Sequence, residues 1–412
     1  MSFTAGLVSF QRFSIAGRMP EHITDGFVNA LNRRTFGKVP LQSDQTQVGW
    51  IGPGHLFETE LAAEQIACGR FARLGLRIDR LKPPPSVLRA YIRLEEEAAL
   101  AGSGREFLGK TERRRAREAA LLRADQEARS GAFRRMAAYD VLIDLERRVA
   151  YLGTTSPAVA DQLMLLFGGT FGAELEALEP GRVAARVLDQ ARRARELESA
   201  APIALVRSPE GGGPVHADGD LSFLGKEFLT WLWFRADAGD GPVRLASGDD
   251  ATVMIDKTLR LKCDFGLTGS TTIAADGPAD LPEARAALGA GKQPLRAGLV
   301  IGVALGELRL ALDGPTLRVS SLMLPEPDEA GRQESSRGSK GEPDRVSRSG
   351  PNPRARLAER LELVADAAAV LDSLFEAFML RRTGREWDSE LAAMTAWAAG
   401  KTARRRLRAA SV

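Results

Sequence analysis

Eleven residues from Gly225 to Arg235, G-K-E-F-L-T-W-L-W-F-R, hold two of the chain's five tryptophans and two phenylalanines around a single threonine. Phe228, Leu229, Trp231, Leu232, Trp233 and Phe234 cover most of a helix's circumference. A helix that is apolar on nearly every side has to be enclosed on nearly every side. The segment therefore predicts a buried helix where several elements meet, and such a helix requires a sizeable core. At 412 residues the chain is long enough to supply one and to form two or three domains.

The flanking patterns predict an α+β fold. Leu7 to Ile15 and Gln65 to Ile78 alternate as strands do, around a helix expected from Glu21 to Leu31. Lys82 and three prolines lead into a polar helical region, Ser86 to Ser130, broken only at Gly102-Ser103-Gly104, which predicts a helical hairpin or arm. Its first half has a thin apolar stripe at Leu88, Ile92 and Ala99 and its second half is mostly charged, so it should project from the core. Tyr139 to Leu152 reads as a strand pair and Ser156 to Phe167 as a helix. From Val243 to Leu324 the chain returns to antiparallel sheet, clearest where Leu308, Leu310 and Leu312 alternate, Asp313-Gly314 turns, and Leu317 and Val319 alternate back.

Pro325 to Pro353 is too polar to bury apolar area and predicts a disordered linker. Beyond it Leu357, Leu361, Val364, Ala368, Leu371, Phe375 and Phe378 recur at alternating spacings of four and three. That seam suits an amphipathic helix on its own sheet, or an intermolecular coiled coil. A sequential division follows: 1–81 an N-terminal α+β region, 82–135 the arm, 136–324 a central α+β region with antiparallel sheet, 325–353 the linker, and 354–412 C-terminal helices with a basic tail.

Net charge is nearly uninformative, because 57 basic groups face 54 acidic ones. The distribution says more: cations cluster at Lys110 to Arg117, at Lys257, Arg260 and Lys262, and in the tail Lys401 to Arg408. Cys68 and Cys263 are the only cysteines, too few for a disulfide framework or a cysteine-based zinc site, and a reduced cytoplasmic protein is expected. The N-terminus does not read as a signal peptide, and the longest apolar run, Ala297 to Gly306, has about half the length of a membrane span.

Gly104 to Thr111, G-R-E-F-L-G-K-T, matches the phosphate-loop pattern G-x-x-x-x-G-K-[ST]. That chemistry needs a buried strand delivering a compact loop onto a helix N-terminus. Here the preceding I-R-L-E-E-E-A-A-L-A-G-S is a charged helical pattern, and V-L-I-D ending in Asp144 is too common to serve as the second, magnesium-binding strand. His22, His55 and His216 show no metal-ligand spacing, and no G-x-S-x-G nucleophile motif occurs. No catalytic residue, metal or cofactor is expected.

Lys110, Arg114 and Arg117 fall on one helical face with Arg113 beside them, a stripe suited to a phosphate backbone. The interleaved Glu112, Glu118, Asp125 and Glu127 allow the alternative of a solvated helix laced by ion pairs. Arg260 and Lys262 alternate in a strand-like run and share a face, which could equally be a plain solvent-facing edge.

Taken in order, V-G-W-I-G-P near residue 50, K-P-P-P-S-V-L-R-A, G-K-T-E-R-R-R, V-L-I-D-L-E-R-R-V-A-Y-L-G-T and F-L-T-W-L-W-F resemble segments of the recombination-associated protein RdgC family, here in a lengthened form. The family's K-K-containing segment is best matched by R-L-K-C-D, where Lys262 is retained and Cys263 replaces the second lysine. The resemblance implies a non-enzymatic, cofactor-free homodimer that closes into a ring around double-stranded DNA without sequence preference. It also implies restraint of RecA-dependent recombination and a nucleoid-associated location. Two rivals remain: an NTPase using Gly104 to Thr111, and a protein-interaction scaffold built on the basic tail and the heptad helix.

Overall fold

The computed structural model describes residues 3–40, 46–206, 219–238, 241–263, 269–325 and 352–400. The expected linker lies almost entirely outside the described residues, and the basic tail and His216 lie wholly outside them.

The strands are β1 (Val8–Ala16), β2 (Thr46–Ile51), β3 (Ala67–Cys68), β4 (Phe71–Arg80), β5 (Arg135–Asp144), β6 (Val149–Leu152), β7 (Glu174–Ala177), β8 (Val243–Arg244), β9 (Asp250–Cys263), β10 (Thr271–Ala275), β11 (Lys292–Val303), β12 (Gly306–Asp313) and β13 (Arg318–Met323). The helices are α1 (Asp25–Asn32), α2 (Ala63–Ile66), α3 (Pro85–Ser103), α4 (Lys110–Arg129), α5 (Pro157–Phe171), α6 (Pro180–Gln190), α7 (Ala194–Glu198), α8 (Phe223–Ala238), α9 (Pro282–Gly289), α10 (Pro353–Arg382) and α11 (Trp387–Ala398). The mixture of helices and antiparallel sheet is the expected α+β class.

Contacts group the chain into two compact units that interleave along the sequence rather than follow the sequential division. One comprises Met1–Ser14, Val149–Ser156 and Glu176–Val412, and the other Ile15–Arg148 and Pro157–Leu175. The cause is strand pairing at long range: β6 returns to lie against β1, with Arg12 opposite Tyr151, before α5 leaves again.

In the first unit the strands run β10-β9-β11-β12-β13-β1-β6, and each pair given a register is antiparallel. The predicted hairpin is present as β12 and β13, joined by a short 3-10 turn at Gly314–Thr316. Buried Leu308, Leu310, Leu312 and Val319 face inward. Helix α8 lies against β9, β11 and that turn, and every residue from Phe223 to Phe234 except Lys226 is buried. Gly225 permits this approach, since a Cβ there would stand 1.8 Å from the Gly314 carbonyl oxygen.

The heptad seam packs within its own chain. Leu361, Val364, Ala368, Leu371, Phe375 and Phe378 on α10 are all buried. The Phe375 and Phe378 rings lie 5.2 and 5.7 Å from that of Phe228 on α8. Buried polar groups fix the register of these helices. Glu227 of α8 accepts from Arg382 Nε at 2.7 Å and from the Ile203 amide at 2.8 Å. Glu390 of α11 accepts the Trp231 indole N–H at 2.7 Å and pairs with Arg381. Burial opposes the charge on Arg12, but Asp372 at 2.8 Å more than offsets it, so this guanidinium holds its proton more tightly than usual.

In the second unit β5, β4 and β2 form an antiparallel ladder with β3 at its edge. Helices α1 and α5 meet through Phe27 and Phe171, whose rings stack at 4.9 Å, and Trp50 Nε1 donates to Thr170 Oγ1 at 2.8 Å. The helix expected from Glu21 begins only at Asp25, where the Thr24 hydroxyl accepts the Phe27 amide at 3.2 Å and caps it. The strand pattern expected from Gln65 starts as a helical turn, because the Gln65 side chain caps the Ala62 amide at 3.0 Å. The predicted arm is the α3–α4 hairpin, whose two helices pack on each other. Among the described residues, no helix is long and apolar enough to cross a membrane.

Candidate nucleic-acid interface

Helix α4 buries Ala116, Ala120, Ala124 and Ala128, a small-residue stripe that lets the two arm helices approach closely. Every cation on α4 is left to the outer faces. In its C-terminal half these are neutralised along the helix: Arg123 pairs with Glu127 at 3.3 Å and Arg129 with Asp125 at 2.8 Å. Arg123 also lies 4.4 Å from the Tyr91 ring of α3. Glu127 sits below its ordinary carboxylate range, chiefly because the Tyr91 hydroxyl donates to it.

The N-terminal half is different. Lys110, Arg113, Arg114 and Arg117 are all exposed, and among the described residues only Arg114 of these four has a counter-ion, Glu118 at 2.9 Å. Glu112, in the same turn, accepts the Gly109 amide at 2.7 Å, capping the helix, and pairs with Arg105 at 3.6 Å. Cations in a first turn oppose the helix dipole and cost stability.

The phosphate-loop lookalike falls at the tip of this arm. Helix α3, not a strand, precedes it; Gly104 closes that helix in the left-handed conformation at φ 61°, and α4 starts at Lys110. Asp144, the imitation of a second motif, is buried and occupied, accepting from Arg70 Nε at 2.8 Å and from the Arg147 amide at 2.9 Å. Lys110→Ala is accordingly expected to change nothing in nucleotide binding, measured by titrating ATP calorimetrically into both proteins. Saturable ATP binding that this substitution removes would restore the NTPase reading.

The other predicted cations lie in the other unit. Arg260 and Lys262 both point from β9 to solvent, between inward-facing Leu259, Leu261 and Cys263. A lysine in place of Cys263 would therefore start toward the core. Lys257, the third member of the predicted trio, sits at φ 61° in a bulge of β9 pressed against Gly298. Its ammonium is bound to Asp276, which raises its proton affinity.

Arg260 and Lys257 line an open cavity of about 620 Å³ on this sheet face, together with Arg296 of β11 and Arg309 of β12. Sequence reading passed over the last two. Arg296 stands opposite Arg260 only through the β9–β11 register, which no local pattern encodes. A smaller cavity of about 390 Å³ is lined by Arg33, Arg34 and Lys38. These cations have a structural use: Lys38 Nζ donates to the Asn32 carbonyl at 2.8 Å near the end of α1, and the Arg34 guanidinium lies against Gly169 in the last turns of α5.

His22 is exposed, and His55 accepts the Phe57 amide at 3.2 Å. Among the described residues, no group of three His, Cys, Asp or Glu side chains is placed to hold a metal ion. What the fold defines is an α+β protein with two basic surfaces, one on a helical arm and one on a sheet. Neither a family model nor a curated protein matches the chain.

Proposed function

We propose that this chain binds double-stranded DNA without sequence preference, through its phosphates, and acts by occupying the duplex rather than by catalysis. The observation that carries the reading is the set of exposed cations without carboxylate partners among the described residues: Lys110, Arg113 and Arg117 on α4, and Arg260 and Lys262 on β9. Phosphate contacts need such cations and no ordered reading of base edges. Arg114, though paired with Glu118, shares the α4 face and can exchange its partner for a phosphate. The resemblance in motif order extends this reading to a ring-forming homodimer, a nucleoid location and restraint of RecA-driven strand exchange.

The test is duplex binding by fluorescence anisotropy, with several unrelated sequences and a range of salt. Affinities should agree between sequences, and the logarithm of affinity should fall steeply with the logarithm of salt, by about 0.9 per phosphate neutralised. Replacing Lys110, Arg113 and Arg117 together by alanine should reduce that slope by about 2.7. A salt-insensitive interaction, or one confined to a single sequence, would sink the proposal; no affinity at moderate salt would favour the scaffold.

A further inference from the structure

We infer that Arg296 and Arg260 form a two-strand guanidinium clamp for one phosphate of a nucleic-acid backbone on the open face of the β9–β11 sheet, an inference that rests on the DNA-binding reading above.

The two arginines are register partners across the antiparallel β9–β11 pair. Partners of this kind project to the same face with Cβ atoms about 4.5–5.5 Å apart, and like charges placed so are destabilising. A fold under selection for stability alone would separate them or put a carboxylate between them. Neither has been done. Among the described residues, neither guanidinium has an ion-pair partner, whereas the other two cations of the same cavity are neutralised, Lys257 by Asp276 and Arg309 by Glu307.

Among the described residues, the carboxylates beside them in the ladder form no ion pair with either arginine and accept hydrogen bonds from neutral donors. Asp313, the partner of Arg296 on β12, accepts the Thr316 hydroxyl at 2.6 Å, and Asp256 in the cavity wall accepts the Gly277 amide at 3.2 Å. On its other side Arg260 faces Thr272, a neutral hydroxyl that can donate to an anion. The cavity is open to solvent. Two planar forks side by side suit the several oxygens of a phosphate better than one ammonium does, and they leave the bases untouched.

The measurement is the salt slope of duplex affinity for the full-length protein, for the double variant Arg260→Ala with Arg296→Ala, for Arg296→Lys and for Arg309→Ala. Arg260→Ala with Arg296→Ala takes both cations from the one phosphate and should lower the slope by about 0.9, so that between about 50 and 200 mM salt the double variant loses roughly 3.5-fold less affinity than the parent. Arg296→Lys keeps the charge and should keep the slope. Arg309→Ala removes a cation that Glu307 already neutralises and should also leave the slope unchanged. If the parent binds duplex with a steep slope that the double variant preserves, the clamp is wrong and the DNA-binding reading stands. If the parent shows no salt-dependent duplex binding, that reading falls and the clamp with it. Calorimetric titration of inorganic phosphate separates the remaining source: saturable phosphate binding lost in the double variant with an unchanged duplex slope would assign the cavity to a free phosphate and overturn the backbone assignment.

Discussion

Phe378→Ala is expected to lower the unfolding free energy by about 3–5 kcal/mol, the usual cost of deleting a fully buried aromatic ring. Phe378 has no exposed surface, and its ring is surrounded by those of Phe228, Trp231, Phe375 and Trp387 at 5.7, 5.7, 5.9 and 6.2 Å. Four aromatic neighbours on three helices cannot collapse into the space at once, which places the loss toward the upper end of that range. All four belong to the same chain, so the effect should appear in a urea unfolding curve, with the oligomeric mass of the folded protein unchanged. An unaltered urea midpoint accompanied by a fall to monomer mass would show that the α10 seam joins two subunits. Folded monomers that kept full duplex affinity would further remove the ring-based mechanism, since one subunit alone cannot encircle DNA.

The parts of this fold that could be read from sequence are those set by local periodicity. Six large apolar residues between Phe228 and Phe234 leave no polar face, so α8 had to be buried, and it is. Leu308, Leu310 and Leu312 alternate with exposed or half-buried neighbours, and the hairpin follows from that alternation and from Asp313-Gly314. The interleaving of the two units was not legible, because it depends on β6 finding β1 across more than a hundred residues of intervening chain. The candidate interface divides along the same line. The α4 stripe is visible as helical spacing of cations, and β9 as alternation, but which cations remain unneutralised depends on tertiary contacts. Lys257 clusters in sequence with Arg260 and Lys262, yet a bulge turns it toward Asp276, whereas Arg296 is brought beside Arg260 only by pairing of strands.

Glu227→Ala is expected to cost a further 3–5 kcal/mol-class loss, about the penalty for leaving one member of a buried ion pair alone. Glu227 is almost fully buried and Arg382 nearly so, with 1% and 8% of their side-chain surfaces exposed. Burial pushes the Glu227 carboxyl above its ordinary range, and Arg382 with the Ile203 amide pulls it back. Removing the carboxylate strands the guanidinium between α8 and α10 and also deprives the Ile203 N–H of its acceptor. Arg382 would keep one hydrogen bond, to the Ala201 carbonyl at 2.7 Å, which does not supply a negative charge. Arg382→Ala should destabilise comparably, and the double substitution should cost clearly less than the sum, because each single change leaves a buried charge that the double change removes. Unfolding curves of the four proteins measure this coupling. Additive losses would mean that the pair is solvated in the folded protein and that apolar packing alone holds α10 to α8.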